Sequence, residues 1–261
     1  MINKMNRINQ LFAEKKSNIL SIYFCAGHPA LDSTLPTLQA LQQAGIDIVE
    51  IGIPFSDPMA DGPVIQDAAT KALRNGMTLQ RLFSQLKDAR QHIHIPLILM
   101  GYLNVIYHFG FERFCQQCSQ CGIDGAIIPD LPFDIYLQKY KPIADRYGIS
   151  IVMLITPETE QERIRQIDSH TNGFIYEVST DATTGAQDTF STATINYFRR
   201  IRDMKLHNPT LVGFGISNKN TREAAQTYSQ GCIIGSKFVK LLEESPSPDA
   251  AVAALMKTIT E

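Results

Sequence analysis

Two carboxylates on either side of a short loop are the residues best suited to chemistry in this sequence. Glu50 lies inside the apolar run Ile48–Ile51, and Asp61 lies in the loop that follows, which is rich in proline, glycine and aspartate. Burial disfavours the ionised form of a carboxylate, so we expect a raised pKa for Glu50, whereas Asp61 can stay charged. Such a pair can give a proton to one substrate and take one back. The alternatives are a strand salt bridge for Glu50 and, for Asp61, capping of a helix that begins near Pro63.

Three glycine-bearing segments in the second half of the chain indicate a phosphate site. Backbone N–H groups in glycine loops and at helix N-termini bind anions, and barrels commonly bind phosphate after their seventh and eighth strands. A glycine after a strand is usually only a turn, so the signal is the succession of three such loops. The segments are Thr183–Ala186, Gly213–Ser217 and Gly235–Lys237.

Aromatic side chains at or just after predicted strand ends indicate a pocket beside those loops. Packing in a barrel core is the ordinary role of any one of them. Together with the glycine loops, they favour a pocket for an apolar ring joined to a phosphorylated chain. The residues are Tyr23, Phe24, Tyr102, Tyr176 and Phe214.

Short apolar runs alternate with amphipathic segments and predict the elements that position these residues. Strand–helix alternation implies parallel pairing, and eight units imply a closed (β/α)8 TIM barrel with its chemistry at the C-terminal strand ends. A doubly wound open sheet is the alternative, but it seldom needs eight units. The apolar face of Met5–Lys16 predicts an extra N-terminal helix on the barrel. The predicted strands are Ile19–Phe24, Ile46–Ile51, Leu97–Met100, Gly125–Ile128, Ser150–Leu154, Phe174–Val178, Leu211–Gly213 and Cys232–Ile234. The clearest helices are Leu35–Ala44, Leu79–Arg90, Phe111–Cys121, Asp134–Tyr147, Thr194–Met204 and Asp249–Ile259.

The composition is that of an ordinary globular protein. With 261 residues and no low-complexity linker, we expect one barrel domain over residues 1–261. A formal net charge of −2, from 24 basic and 26 acidic residues, gives no electrostatic case for nucleic acid or an anionic membrane. No apolar run approaches the roughly 18 residues of a membrane span, and the first residues lack the apolar core of a signal peptide.

Cysteine usage points to a reducing compartment. Five cysteines in a chain of this size suggest free thiols and a cytoplasmic protein. The spacing of Cys115, Cys118 and Cys121 is similar to part of an iron–sulfur motif, but residues three apart share one helix face, where cysteine packs as a small apolar side chain. Cys25 and Cys232 lie in other predicted strands, so a complete ligand set is missing and we expect no metal.

The segment from Glu50 to Gly62 reads Glu-Ile-Gly-Ile-Pro-Phe-Ser-Asp-Pro-Met-Ala-Asp-Gly and closely resembles the signature of the tryptophan synthase α subunit family. The resemblance covers nearly the full length, including Ala26–Pro29, Met100–Asn104, Pro129–Pro132 and Ser179–Gly185. It implies a TIM-barrel lyase that cleaves indole-3-glycerol phosphate to indole and glyceraldehyde 3-phosphate.

The resemblance also implies roles for single residues. Glu50 would be the catalytic acid–base, and Asp61 would hold the indole N–H. No lysine stands at the end of the fifth or sixth predicted strand, which agrees with catalysis that needs no Schiff base, metal or cofactor in this chain. The expected substrate-binding residues are Tyr23, Tyr102, Tyr176 and Phe214 around the ring and the scissile bond, and Thr184, Gly185, Gly215, Gly235 and Ser236 around the phosphate.

A partner is implied in the same way. The family works as an αββα complex, in which the β subunit uses pyridoxal phosphate to join tunnelled indole to L-serine, giving L-tryptophan. Asp57 would contribute to signalling at that interface, with Asn104 and Pro132 on the same contacting face. The alternative for Asp57 is a simple turn carboxylate before Pro58.

The sequence departs from the family pattern in two places. His28 stands where an acidic or aromatic residue is more usual. Thr180, Asp181 and Ala182 replace an arginine, a small residue and a glycine of many relatives, which could alter loop closure or phosphate affinity. We expect Asp181 to point away from the phosphate and the activity to be retained.

Two other functions stay open on the sequence alone. One is an isomerase or epimerase acting on a sugar phosphate, which commonly needs a lysine or metal ligands at strand ends. The other is a catalytically silent subunit that binds ligand and activates a β partner. The presence of both Glu50 and Asp61 argues against the second.

Overall fold

The computed structural model describes residues 6–179 and 189–261, and its strands form one parallel sheet. The sheet order is β5-β4-β3-β2-β1-β9-β8-β7-β6, so the strands at its two ends are consecutive in the chain. The sheet therefore curls into a nearly closed barrel, as predicted. The strands are β1 Ile19–Cys25, β2 Ile48–Gly52, β3 Leu97–Met100, β4 Gly125–Ile127, β5 Ser150–Val152, β6 Leu154–Ile155, β7 Ile175–Val178, β8 Thr210–Gly213 and β9 Gly231–Ile234.

The predicted fifth strand forms two short strands instead of one. β5 pairs with β4, β6 pairs with β7, and Met153 separates them. The Met153 carbonyl still accepts a hydrogen bond from the Tyr176 N–H at 3.0 Å. Barrel closure staggers neighbouring strands, so one segment meets its two neighbours at different levels. The split marks the place where the barrel closes.

Helices cover the outside of the barrel. They are α1 Arg7–Glu14, α2 Thr34–Gln43, α3 Pro63–Arg74, α4 Leu79–Leu86, α5 Leu103–Phe109, α6 Phe111–Cys121, α7 Phe133–Ile135, α8 Lys141–Tyr147, α9 Gln161–His170, α10 Thr192–Asp203, α11 Lys219–Tyr228, α12 Ser236–Glu244 and α13 Pro248–Thr260. None of the helices in these two ranges is long and apolar enough to cross a membrane.

Two predicted helices are interrupted. The helix predicted to reach Arg90 ends at Leu86, and a 3₁₀ turn follows. The Arg90 guanidinium there donates to the Gly122 carbonyl and to the Asp124 carboxylate. The predicted helix 134–147 contains a π-helical turn before Pro142, because proline has no N–H for the regular helical ladder.

The extra N-terminal helix closes the N-terminal end of the barrel. Ile8 on α1 is fully buried, and its side chain lies 3.1 and 3.4 Å from the positions that a Cβ would take at Gly125 and Gly173. Arg7 pairs with the buried Asp124 carboxylate at 2.9 Å. This end is therefore packed shut, and the C-terminal end is left for chemistry.

Consecutive residues of β7 face opposite sides of the barrel wall, as strand geometry requires. Tyr176 points inward, while Glu177 points outward toward α10. Burial raises the pKa of Tyr197 on α10, and the nearby Glu177 adds to that rise. Glu177 is 1% exposed, and burial raises its pKa to about 8. The nearby Thr210 hydroxyl acts on this pKa in the opposite direction. Neither carboxylate oxygen of Glu177, however, has a hydrogen-bond partner among residues 6–179 and 189–261. Glu177 is thus a buried carboxyl outside the barrel interior.

Candidate active site at the barrel mouth

Glu50 projects from the middle of β2 into the barrel. It is fully buried, and in place of a salt bridge its Oε1 accepts a hydrogen bond of 2.7 Å from the Ser21 hydroxyl on β1. Within residues 6–179 and 189–261 its Oε2 has no hydrogen-bond partner. Burial raises the pKa of Glu50 to about 7, with the Ser21 hydrogen bond acting in the opposite direction. The expected shift is present, and both protonation states are accessible near neutral pH.

Asp61 reaches the same mouth from the loop after β2. Gly62, not Asp61, is the N-cap of α3, and it makes no side-chain capping bond, so the capping alternative fails. The Asp61 Oδ2 instead accepts a hydrogen bond of 2.8 Å from the Tyr102 hydroxyl, which also accepts one from the Ala60 N–H at 3.0 Å. Burial raises the pKa of Asp61 as well, and the Tyr102 hydrogen bond opposes that rise.

Two tyrosines lie over glycines of neighbouring strands. A side chain at Gly52 would overlap the Tyr23 ring, and one at Gly213 would overlap the Tyr176 ring. Only glycine at these two positions leaves room for the two rings. Both tyrosines are close enough to Glu50 and Asp61 for these carboxylates to raise their pKa, although burial is the larger cause. The mouth thus brings together both carboxylates and three of the predicted aromatic residues, Tyr23, Tyr102 and Tyr176.

The predicted phosphate residues that the structure describes follow β8 and β9. Phe214 and Gly215 follow β8 with φ values of 69° and 71°, and the Phe214 ring packs edge-on against Tyr176. Gly235 is the N-cap of α12, and Ser236 is its first residue. A Cβ at Gly235 would lie 3.5 Å from the Tyr23 ring, so the helix N-terminus opens beside the pocket aromatics. Thr184 and Gly185 lie outside the described residues, as do positions 180–182, where the sequence departs from the family pattern.

The three predicted partner residues are exposed at neighbouring strand exits. Asp57 follows β2, Asn104 lies on α5 after β3, and Pro132 follows β4. The Leu103 N–H donates to the Asp130 carboxylate at 2.8 Å and ties the β3 and β4 exits together. Large apolar side chains are exposed beside them: Met59 (92%), Tyr107 (59%) and Ile135 (43%).

His28 packs the first loop instead of facing the substrate pocket. It is fully buried, and its Nε2 lies 3.7 Å from the Glu243 carboxylate on α12. The Asn75 side chain at the end of α3 donates to the carbonyls of Gly27 and Pro29 on either side. Burial lowers the pKa of His28, so this departure supplies a neutral packing residue between α3 and α12.

The residues that the structure describes do not assemble a metal site. Cys115, Cys118 and Cys121 are buried on the inner face of α6, and Cys25 and Cys232 lie in β1 and β9. No cluster of three His, Cys, Asp or Glu side chains with metal-binding geometry occurs among residues 6–179 and 189–261.

Sequence reasoning missed Ser21, the hydrogen-bond donor to Glu50. The sequence does contain a signal for Ser21. It stands two residues before Tyr23, so the two side chains lie on the same face of the strand. A polar side chain on the inner face of an apolar strand needs a partner. The identity of that partner depends on the register between β1 and β2, which the sequence does not show.

A TIM barrel with two carboxylates at its C-terminal mouth belongs to the class of barrel enzymes suited to acid–base chemistry. The profile of the family described as "Tryptophan synthase alpha chain" matches residues 8–261. The chain belongs to the tryptophan synthase alpha chain family. It is a carbon–carbon lyase of tryptophan biosynthesis, and its reaction is the cleavage of indole-3-glycerol phosphate to indole and glyceraldehyde 3-phosphate.

Individual relatives support this assignment over nearly the whole chain. The tryptophan synthase alpha chain of Bacteroides thetaiotaomicron is 60% identical, covering 96% of this chain and 98% of its own length. That of Parabacteroides distasonis is 59% identical, with coverage of 98% and 100%. Among solved structures, the alpha chain from Legionella pneumophila is 30% identical with a TM-score of 0.85, covering 98% of this chain and 96% of that one. A chain of the tryptophan synthase complex from Pyrococcus furiosus is 34% identical with a TM-score of 0.81, covering 94% and 97%.

Proposed function

We propose that Glu50 and Asp61 carry out the retro-aldol cleavage of indole-3-glycerol phosphate in this chain. The observation that carries the proposal is the buried, inward-facing Glu50 carboxyl with a pKa of about 7, in the same mouth as a second carboxylate. A group with this pKa can be protonated when substrate binds and can release its proton during the reaction.

The first step is a proton transfer to the indole ring. Protonated Glu50 donates to indole C3, which makes the ring an electron sink for the bond that breaks. Asp61, as an anion, accepts the N1–H of the ring and stabilises its developing positive charge. The Tyr102 hydrogen bond favours the ionised form of Asp61 and holds the carboxylate at the mouth.

The second step breaks the carbon–carbon bond. Glu50, now ionised, takes the proton of the hydroxyl on the substrate's side chain. The C–O bond becomes the C=O bond of the aldehyde, and the electrons of the broken carbon–carbon bond return to the indole ring. Glu50 ends the cycle protonated, as it began. The route uses only the two carboxylates for proton transfer and charge stabilisation.

The phosphate would bind at the exits of β8 and β9. Gly215, Gly235 and Ser236 offer backbone N–H groups, a hydroxyl and the N-terminus of the nine-residue helix α12. The rings of Tyr23, Tyr176 and Phe214 lie beside this anion site. We include Thr184 and Gly185 in the phosphate site on the resemblance alone.

The proposal includes a β subunit that receives the indole. An exposed face formed by the exits of β2, β3 and β4 carries Asp57, Asn104 and Pro132, and the apolar Met59, Tyr107 and Ile135 lie on it, as in a protein-binding surface. In the assembly we propose, αββα, the β subunit holds pyridoxal phosphate, and Asp57 takes part in signalling. Buried free cysteines fit a reducing cytoplasm.

The test is to supply purified protein with indole-3-glycerol phosphate and to measure indole release, alone and with a β subunit and L-serine. We expect indole from the protein alone and faster cleavage with the partner. Failure to release indole under both conditions would rule out the proposed roles of Glu50 and Asp61 in this chain. Turnover of a sugar phosphate without indole formation would favour an isomerase or epimerase.

A further inference from the structure

Ser21 is the hydrogen-bonding neighbour of the proposed acid–base group. The register of β1 against β2 places Tyr23 beside Glu50 and Ser21 beside Ile48, so Ser21 lies one strand repeat, about 6–7 Å, deeper in the barrel than Tyr23. Ser21 is fully buried, and its hydroxyl donates to Glu50 Oε1 at 2.7 Å. The carboxyl is therefore anchored from below, on the side away from the mouth.

The two oxygens of Glu50 are consequently different. Oε1 is occupied by the Ser21 hydroxyl, whereas Oε2 is buried without a hydrogen-bond partner in the described parts of the chain. Leaving a buried polar atom without a hydrogen-bond partner costs free energy unless a ligand supplies that partner, and such atoms occur at functional sites. A proton on Oε2 would have substrate as its acceptor.

We propose that Ser21 is a positioning residue for Glu50, whose hydroxyl holds Oε1 and leaves Oε2 to exchange the proton with substrate. The inference rests on the proposed function of Glu50. Ser21 itself neither touches the reacting atoms nor transfers a proton.

The contact has a consequence for proton affinity. A hydroxyl donates more strongly to a carboxylate than to a carboxylic acid, so Ser21 favours the ionised form and opposes the effect of burial. Among residues 6–179 and 189–261, the titratable groups that face Glu50 are Tyr23 on β1 and Tyr176 on β7, and Asp61 reaches the same tyrosines from the loop. Burial raises the pKa of both tyrosines well above the ordinary value, so neither changes charge near neutral pH.

The experiment compares the pH dependence of kcat/KM for the wild type, Ser21→Ala and Ser21→Cys. Loss of the hydroxyl should raise the Glu50 pKa and move the alkaline limb of the profile upward by about one pH unit. The kcat at the plateau should fall by about tenfold, because the ionised intermediate loses a charge-assisted hydrogen bond. Ser21→Cys keeps the side-chain volume and guards against a packing effect in the alanine variant. Ser150→Ala, a buried serine on β5, is the matched control and should leave the profile unchanged.

A direct titration separates this inference from the proposed function. The ¹³C carboxyl resonance of Glu50, identified as the one missing in Glu50→Gln, should titrate about one pH unit higher in Ser21→Ala. An unmoved resonance and an unmoved alkaline limb in both Ser21 variants would overturn the role of Ser21. Normal cleavage by Glu50→Gln would overturn the proposed function, while the NMR titration would still decide whether Ser21 controls the carboxyl.

Discussion

Glu50→Gln should lower kcat for indole release by about a thousandfold or more, within the range that general acid–base groups contribute. The glutamine amide has nearly the shape of the carboxyl, and its oxygen can still accept the Ser21 hydrogen bond. It can neither give a proton to indole C3 nor take one from the hydroxyl. Folding and phosphate binding should be retained, since Glu50 makes no contact with α12 or the glycine loops in the proposed pose.

The matched control is Glu177→Gln. It makes the same substitution in a buried strand glutamate, but on the outer face of the barrel wall. Indole release by this variant should stay close to wild type. Glycerol 3-phosphate binding, measured by calorimetry, should be similar in all three proteins. A Glu50→Gln enzyme that cleaves at the wild-type rate would contradict the acid–base assignment.

Glu177→Met should raise the free energy of unfolding at pH 7 by about 3 kcal/mol, because folding no longer has to protonate and bury a carboxyl. The folded-state pKa is about 8, above the ordinary value of 4.5. The folded state therefore keeps a proton that the unfolded chain releases. The contribution of Glu177 to the free energy of unfolding of the wild type is greatest below about pH 4.5 and falls as the pH rises to about 8.

Urea unfolding of both proteins between pH 5 and pH 8 measures this difference. The stability gain of Glu177→Met should be smallest at pH 5 and grow toward pH 8. Methionine is unbranched and of similar size, so the packing against Tyr197 should be largely preserved. Glu162→Met, at an exposed position on α9, should change stability by less than about 0.5 kcal/mol at any pH. A gain that does not vary with pH would contradict the buried-carboxyl explanation.

Strand pattern predicted the barrel because its signal is repeated along the chain. Eight apolar runs with intervening helices leave few other parallel folds, and the predicted barrel and N-terminal helix are confirmed. The split at Met153 was not predictable, since it arises from closure between β5 and β6 rather than from the local sequence. The family and its lyase activity, predicted from the Glu50–Gly62 segment, are likewise confirmed.

Single residues show where sequence reasoning stops. Glu50 and Glu177 look alike in the sequence, as one carboxylate in a short apolar run. They differ in which face of the wall they occupy: Glu50 shares a face with Ser21 and Tyr23, whereas Glu177 faces α10. The Tyr102–Asp61 hydrogen bond depends in turn on how the loop after β2 folds back over β3. The roles assigned to the site residues remain predictions.

In the proposed mechanism, Glu50 donates a proton from a carboxyl that titrates near neutral pH. The most direct measurement is kcat/KM for indole release by the wild type from pH 5 to pH 9. Because the competent free enzyme has Glu50 protonated and Asp61 ionised, the profile should be bell-shaped, with its alkaline limb falling through about pH 7. An activity that is constant or rises between pH 7 and pH 9 would contradict the account.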